Sequence, residues 1–211
     1  MLVAKVLADN LSPASFFDIF DEEDFLLTDK LIENEFAEEQ QIDHPYVEQS
    51  IFNRVTLTTS SFYKFEATDV IFNNCDFSNC NLEEAVLLRC EFRNCKMLGL
   101  NLNNAYISTC EFENCLMDLA SINKVQLKTT HFIETSLKDV GFADNKLTKT
   151  TFASCKLNQI STYGTSLKGL DLTSNSFESL EADLASIRGV IVNEQQAAVL
   201  AQRYLNLSIK Y

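Results

Sequence analysis

The sequence predicts an all-β rod of short flat segments joined by corners. Three observations predict it: a large apolar residue at every fifth position, a small residue two positions before each, and polar residues between them. Stepping by five from Phe52 passes through Leu57, Phe62, Ala67, Phe72, Phe77, Leu82, Leu87 and Phe92 and continues in phase to Ile187. Of these 28 positions, 25 hold Phe, Leu, Met or Ile. Neither a helical period of about 3.6 nor a strand period of about 2 produces such a beat. Phe72, Phe77, Phe92, Phe112, Phe132, Phe142 and Phe152 are the expected core columns.

The site two residues earlier selects for small volume. All seven cysteines occupy it (Cys75, Cys80, Cys90, Cys95, Cys110, Cys115 and Cys155), alongside residues such as Ala85, Ala105, Val55 and Val70. Where the central residue shrinks, this second site grows: Phe65 precedes Ala67, Ile160 precedes Thr162 and Leu180 precedes Ala182. An interior of fixed volume requires that exchange, so both columns should face one core. Asn and Asp suit the corners because they bond their own backbone and tolerate left-handed conformations.

The run Phe72-Asn73-Asn74-Cys75-Asp76-Phe77-Ser78-Asn79-Cys80-Asn81-Leu82 resembles the pentapeptide-repeat family. The resemblance implies a right-handed quadrilateral β-helix with four units per coil and both columns pointing inward. On that basis the 28 units make seven or more coils, a rod of roughly 34 Å at one strand spacing per coil. A stack in which each coil touches only its neighbours needs caps at its ends. Residues 51–189 are therefore the expected solenoid, 1–50 an acidic N-terminal cap with partly irregular coils, and 190–211 a C-terminal helix and strand.

Within 1–50, Leu27 and Ile32 keep the beat, Ala37 breaks it, and Leu26, Leu31 and Phe36 suggest a coil shifted by one residue. The segment carries 13 acids and only Lys5 and Lys30 as bases, a net −11 against −2 for the remainder. After Ile187, Asn193 with Gln196 reads as a capped helix start, followed by apolar residues at helical spacing to Tyr204. Leu205, Leu207, Ile209 and Tyr211 then alternate with polar residues, the period of a half-buried strand. A terminal strand edge invites pairing with its own copy. Ala197, Leu200, Tyr204, Leu205, Leu207, Ile209 and Tyr211 are thus the expected homodimer interface, and family members with this kind of tail dimerise through it.

No catalytic, cofactor or metal site is expected. The cysteines are spaced in multiples of five with no Cys-x-x-Cys, a packing rule and not a ligand geometry. His44 and His131 are the only histidines, and His131 precedes the central Phe132 at an outward position. Phosphate-binding glycine loops and nucleophile elbows are absent, and a solid rod offers no deep pocket. No apolar run is long enough to cross a bilayer, and Asp9 interrupts the opening stretch, so a cytoplasmic protein is expected.

The formal charge of −13 excludes direct nucleic-acid binding as the first expectation, because neutralising phosphates needs clustered Lys and Arg. Counted by face, the body is −3 through Phe72, Phe92 and Phe112, and −3 on the opposite face through Leu82 and Leu102. It is near neutral through Phe77 and Met97, and +4 through Leu87, Leu127 and Leu147. The uninterrupted rod, small C-terminal element and acidic balance are similar to the Qnr-like and MfpA-like quinolone-resistance proteins. The tail Thr165-Ser166-Leu167-Lys168-Gly169-Leu170-Asp171 is similar to those of Gram-positive bacteria. The resemblance implies a DNA-mimicking protein that binds DNA gyrase or topoisomerase IV and protects them from fluoroquinolones. Glu83, Glu84, Glu91, Glu111, Glu113 and Asp118 would stand in for phosphates. The competing expectation is an interaction module for a different protein, with Val86, Leu88 and Tyr106 exposed as its contact patch.

Overall fold

The computed structural model of the protein describes residues 4–21 and 24–209. It is a parallel β-solenoid of about eight coils. Every coil consumes twenty residues, so Phe72 pairs with Phe52 and Phe92 in register, and Ile107 with Leu87 and Leu127. Two faces carry continuous sheets, one of eight strands from Ser12–Ala14 to Thr151–Ala153, the other of seven from Leu26–Thr28 to Lys146–Thr148. The other two faces are joined by single bridges such as Asp76↔Lys96 and Asn81↔Asn101. A further strand pair, Ile160–Ser161 with Leu180–Glu181, continues one of them.

Both columns point inward as the beat requires. Phe52, Phe72, Phe92, Phe112, Phe132 and Phe152 form one continuous stack with ring centroids 4.8–5.0 Å apart, one coil spacing. Phe77 and Phe142 meet it edge-on at 5.2 and 5.8 Å, the arrangement that the ring quadrupole favours. Phe65, Ile160 and Leu180 are buried beside Ala67, Thr162 and Ala182, the volume exchange that the sequence implied. All seven cysteines are buried free thiols that donate to backbone carbonyls of the preceding coil, at 3.3–3.5 Å or, for Cys80, at 2.9 Å. Burial raises the Cys90 and Cys155 thiols and pushes Cys80 up to about 12.

The corners need left-handed backbone, and the position two after each central residue from Leu27 to Leu167 supplies it: Asn74, Asn79, Asn94, Asn104 and Asn114 all have φ between 50° and 62°. Threonines and lysines also hold this conformation, for example Thr59, Lys64 and Thr109, at a cost of about 1–2 kcal/mol each that the coil-to-coil ladder must offset. Outward asparagines stack and bond to each other, as Asn73 donates to Asn53 at 2.9 Å and Asn101 to Asn81 at 2.8 Å.

Sequence expectations change at both ends. Regular coils begin at Leu26, inside the segment expected as an irregular cap: Leu27, Ile32, Ala37, Ile42 and Val47 are all buried and in phase. No shifted coil occurs among the described residues. Ala37 points inward although small, Leu26 and Leu31 are half-buried outward residues, and Phe36 is 75% exposed. The plug is instead the 3₁₀ turn Phe16–Phe20, which drops Phe16 and Ile19 onto the first coil. Its start is held by Glu35, which accepts from the Ser15 hydroxyl at 2.5 Å and the Phe16 amide at 2.8 Å.

At the other end the beat falters one unit early, in the turn around Leu184–Gly189, where Ser186 is buried and Ile187 only half-buried. Asp183 organises this turn, accepting from Gly164 and Ser186, bonds that hold its carboxyl at about 2. The helix Glu194–Leu205 then closes the rod, with the Asn193–Gln196 capping box in place and Gln196 Nε2 donating to the Leu172 and Asn175 carbonyls at 2.9 and 2.7 Å. The expected terminal strand is absent from 206–209: Leu205 is the last helical residue, and Asn206 ends the helix in a left-handed cap. Alternation alone gives no strand where no neighbouring backbone offers a ladder.

Emptying one position in the phenylalanine stack leaves a void bounded by two rings, so Phe112→Ala should destabilise the protein by about 3–5 kcal/mol in urea unfolding. Iodoacetamide at pH 8 should label none of the seven cysteines in the native protein and all seven after denaturation, as read by mass spectrometry.

Candidate partner-binding surface

With the interior filled, the walls and the two ends are the surfaces that can meet other molecules. Among the described residues no group of His, Cys, Asp or Glu is arranged to hold a metal ion, and no helix is long and apolar enough to cross a membrane. His131 Nδ1 lies 2.7 Å from the Thr151 hydroxyl on the next coil, a pairing along the ladder.

The structure does not gather the six candidate carboxylates into one site. Glu111 and Glu113 lie on the eight-stranded sheet, Glu111 one coil above Glu91 and Glu113 one coil above Arg93. Glu83 and Glu84 sit on the opposite face, and Asp118 on a third. Two are already committed: Glu83 accepts from Asn104 at 3.2 Å and Asp118 from the Lys138 amide at 3.0 Å, while the Glu84 carboxylate beside Tyr63 raises that phenol above its usual range. Burial, and then the like charges of Glu91 and Glu113, raise the Glu111 carboxyl.

Glu91 is not available as an exposed phosphate substitute. Although it occupies an outward register position, it is 2% exposed, because the N-terminal segment crosses the wall above it. Glu91 accepts from the Ala4 amide at 2.7 Å and pairs with Arg93, and Asp69, 4% exposed, accepts from the Lys5 amide at 2.9 Å and from Arg89 at 2.6 and 2.8 Å. Burial by itself would raise the Asp69 carboxyl, but Arg89 and the Lys5 amide hold it below the usual carboxylate range. The sequence does carry one sign of this cluster: opposite charges twenty residues apart, Asp69 and Arg89, must sit on adjacent coils. Nothing in the repeat indicates that residues 4 and 5 return to it.

The expected dimer interface splits in two. Leu200 and Tyr204 face their own rod: Tyr204 donates to the Leu180 carbonyl at 2.5 Å and accepts from the Ala182 amide at 2.8 Å. Ala197, Leu205 and Leu207 are exposed, and Ile209 lines a shallow depression with Glu194, Ala197, Ala198 and Ala201. Tyr211 lies outside the described residues. Val86, Leu88 and Tyr106, expected as exposed, are half-buried because each stacks on its neighbour one coil away.

A family model described as "Pentapeptide repeat region" matches residues 64–142, 85–162 and 105–197. Among solved structures, trypsin-treated QnrB1, described as a plasmid-mediated fluoroquinolone resistance protein, is 18% identical with a TM-score of 0.42, over 86% of this chain and 99% of that one. Full-length QnrB1 is 17% identical with a TM-score of 0.40, over 84% and 100%. A pentapeptide-repeat protein, Rfr23, from the cyanobacterium Cyanothece 51142 is 10% identical with a TM-score of 0.32, over 76% and 91%. None of the curated proteins matches the chain by sequence.

Because Asp69 has a lower pKa folded than its unfolded value of 3.8, its contribution to stability is complete above that value and is lost as the pH falls through the folded one. Asp69→Asn should therefore be clearly destabilised relative to wild type at neutral pH. That gap, followed by urea unfolding, should close as the buffer is taken from about pH 5 toward pH 2. Together the in-register coils and the family match, which spans more than half of the sequence, establish that the chain belongs to the pentapeptide-repeat family.

Proposed function

We propose that the protein binds a bacterial type II topoisomerase, DNA gyrase or topoisomerase IV, on the surface that otherwise holds duplex DNA, and so protects the enzyme from fluoroquinolones. The observation that carries this reading is the filled rod of in-register coils with a net charge of −13. About eight coils at one strand spacing give a length of about 38 Å, and its chemistry lies entirely on the outside. Such a body meets a basic, duplex-shaped surface by charge complementarity and needs no pocket. The similarity to Qnr-like proteins in the repeat and in the tail Thr165–Asp171 supports the same reading, which places the protein in the cytoplasm with its enzyme and leaves direct binding of nucleic acid out of the mechanism.

The two acidic faces are separable. Glu111 and Glu113 belong to one, Glu83 and Glu84 to the other, and the basic face with Lys128, Lys146, Lys149, Lys168 and Arg188 turns away from a cationic partner. The interaction-module reading rests on the half-buried apolar ladder Val86, Tyr106 and Leu88 on that basic face. We also propose that two copies associate through the outer side of the helix Glu194–Leu205, using Ala197, Leu205, Leu207 and Ile209. Leu200 and Tyr204 act as its internal anchors.

In a supercoiling assay with purified gyrase, the protein should restore activity in the presence of ciprofloxacin or inhibit it in the drug's absence. Absence of both effects up to high micromolar concentration would end the topoisomerase reading. Converting Glu111 and Glu113 to Lys, or Glu83 and Glu84 to Lys, should weaken the effect by about tenfold or more for the contacting face alone, with circular dichroism unchanged. Leu205→Glu with Leu207→Glu should turn a dimer into a monomer in analytical ultracentrifugation.

A further inference from the structure

Hydrogen bonds in this molecule are local along the rod: apart from two, those described span at most 24 residues. The two exceptions are the Ala4 amide to Glu91 and the Lys5 amide to Asp69, across 87 and 64 residues. They mark a strap that leaves the first rung, Ser12–Ala14, and runs along the corner between the two sheets to the rung Glu91–Arg93, four rungs away. Four spacings are about 19 Å. The chain from Ala4 to Ser12 spans at most about 26–29 Å fully extended, and the 3₁₀ turn Ala8–Asn10 shortens it. The strap therefore has little slack.

What the strap covers is a built recess. Two carboxylates about one coil apart, each more than nine-tenths buried at positions where the repeat puts solvent-facing groups, receive consecutive main-chain amides, and each is backed by its own arginine. Ala4 is small and buried, whereas Lys5 is exposed beside Asp69. The recognition elements are thus two successive N–H donors, a small side chain and an adjoining cation. They read no large side chain, which is the pattern of a site for the backbone of an extended chain.

We propose that the corner formed by Asp69, Arg89, Glu91 and Arg93 is a docking site for an extended, cationic peptide segment of the rod's protein partner. In the free molecule residues 4 and 5 occupy it as an internal pseudo-ligand. The idea rests on the reading of the rod as a protein-binding body, but not on which protein it binds. Displacement of the strap exchanges one pair of amides for another, while Arg89 and Arg93 keep both carboxylates paired throughout.

The test uses the full-length chain with Ala4→Pro and Lys5→Pro, which removes both donors while leaving the recess untouched. A fluorescent peptide with the sequence of residues 1–10 should then bind saturably in anisotropy titrations. It should bind the wild-type chain at least tenfold more weakly, and the proline variant that also carries Asp69→Ala and Glu91→Ala not at all. Binding to neither chain, or equal binding with and without the two carboxylates, overturns the proposal. Circular dichroism and protection of the seven cysteines confirm that each variant is folded. Amide exchange in the unaltered protein supplies a second measurement: Ala4 and Lys5 should exchange at least tenfold more slowly than an unstructured peptide, and exchange at the peptide rate refutes the strap. Neither readout involves a topoisomerase, so a negative supercoiling assay and a negative peptide titration are separate failures.

Discussion

The constraint on which the whole structure depends is the fixed length of a coil. The backbone donors that join one coil to the next find their acceptors about twenty residues away, so every coil must use the same number of residues or the ladder is lost. A constant length puts like above like. Phenylalanine stacks on phenylalanine down one wall, thiols lie over carbonyls one coil back, and asparagines bond to asparagines outside. The same register places Glu111 over Glu91, where burial first and then the like charge raise the Glu111 carboxyl, and Arg93 partly relieves it. Exchanges of volume between the central and second sites, as at Phe65 and Ala67, are tolerated because they change no residue count.

Most of the fold was legible in the sequence because its period is its geometry. The beat from Phe52, the small second site and the asparagine corners each reappear as a column or a turn. Legibility failed where the beat carries less information. Ala37 broke the rule of large residues without breaking the phase, and Phe36 beside it drew attention to the wrong position. A central site is defined by direction, and size is only its usual symptom. The terminal alternation of Leu205, Leu207 and Ile209 suggested a strand, but a capped helix absorbed Leu205 and no neighbouring strand was there to pair with the rest. Among the acidic candidates, Glu113 and Glu84 are exposed as the register implied, whereas Glu91 is hidden by residues whose return to the wall leaves no periodic trace.

Function in such a molecule is written on the outside, and the outside is divided. The twenty-residue period gives every outward side chain a face and a height, so acids can be segregated from lysines along the whole rod without disturbing the interior. That separation is why two acidic faces can differ in role while sharing one core. The ends obey a different logic. Each exposes a terminal coil whose backbone needs partners, and each is sealed by a polar side chain reaching main-chain groups: Glu35 at one end, Gln196 at the other.

The strap also bears on how the chain folds. Successive coils close loops of one length, so the entropic cost of adding a coil is uniform and assembly resembles zipping with low contact order. In an unfolded chain, joining residue 4 to residue 91 would close a far larger ring, at roughly 1.3 kcal/mol more than one coil. Once the first coils have stacked, only the short link from Ala4 to Ser12 remains to be ordered. The strap segment, which emerges in synthesis before the coils it binds, is therefore among the last to be fixed, and its docking fastens rungs that otherwise touch only their neighbours.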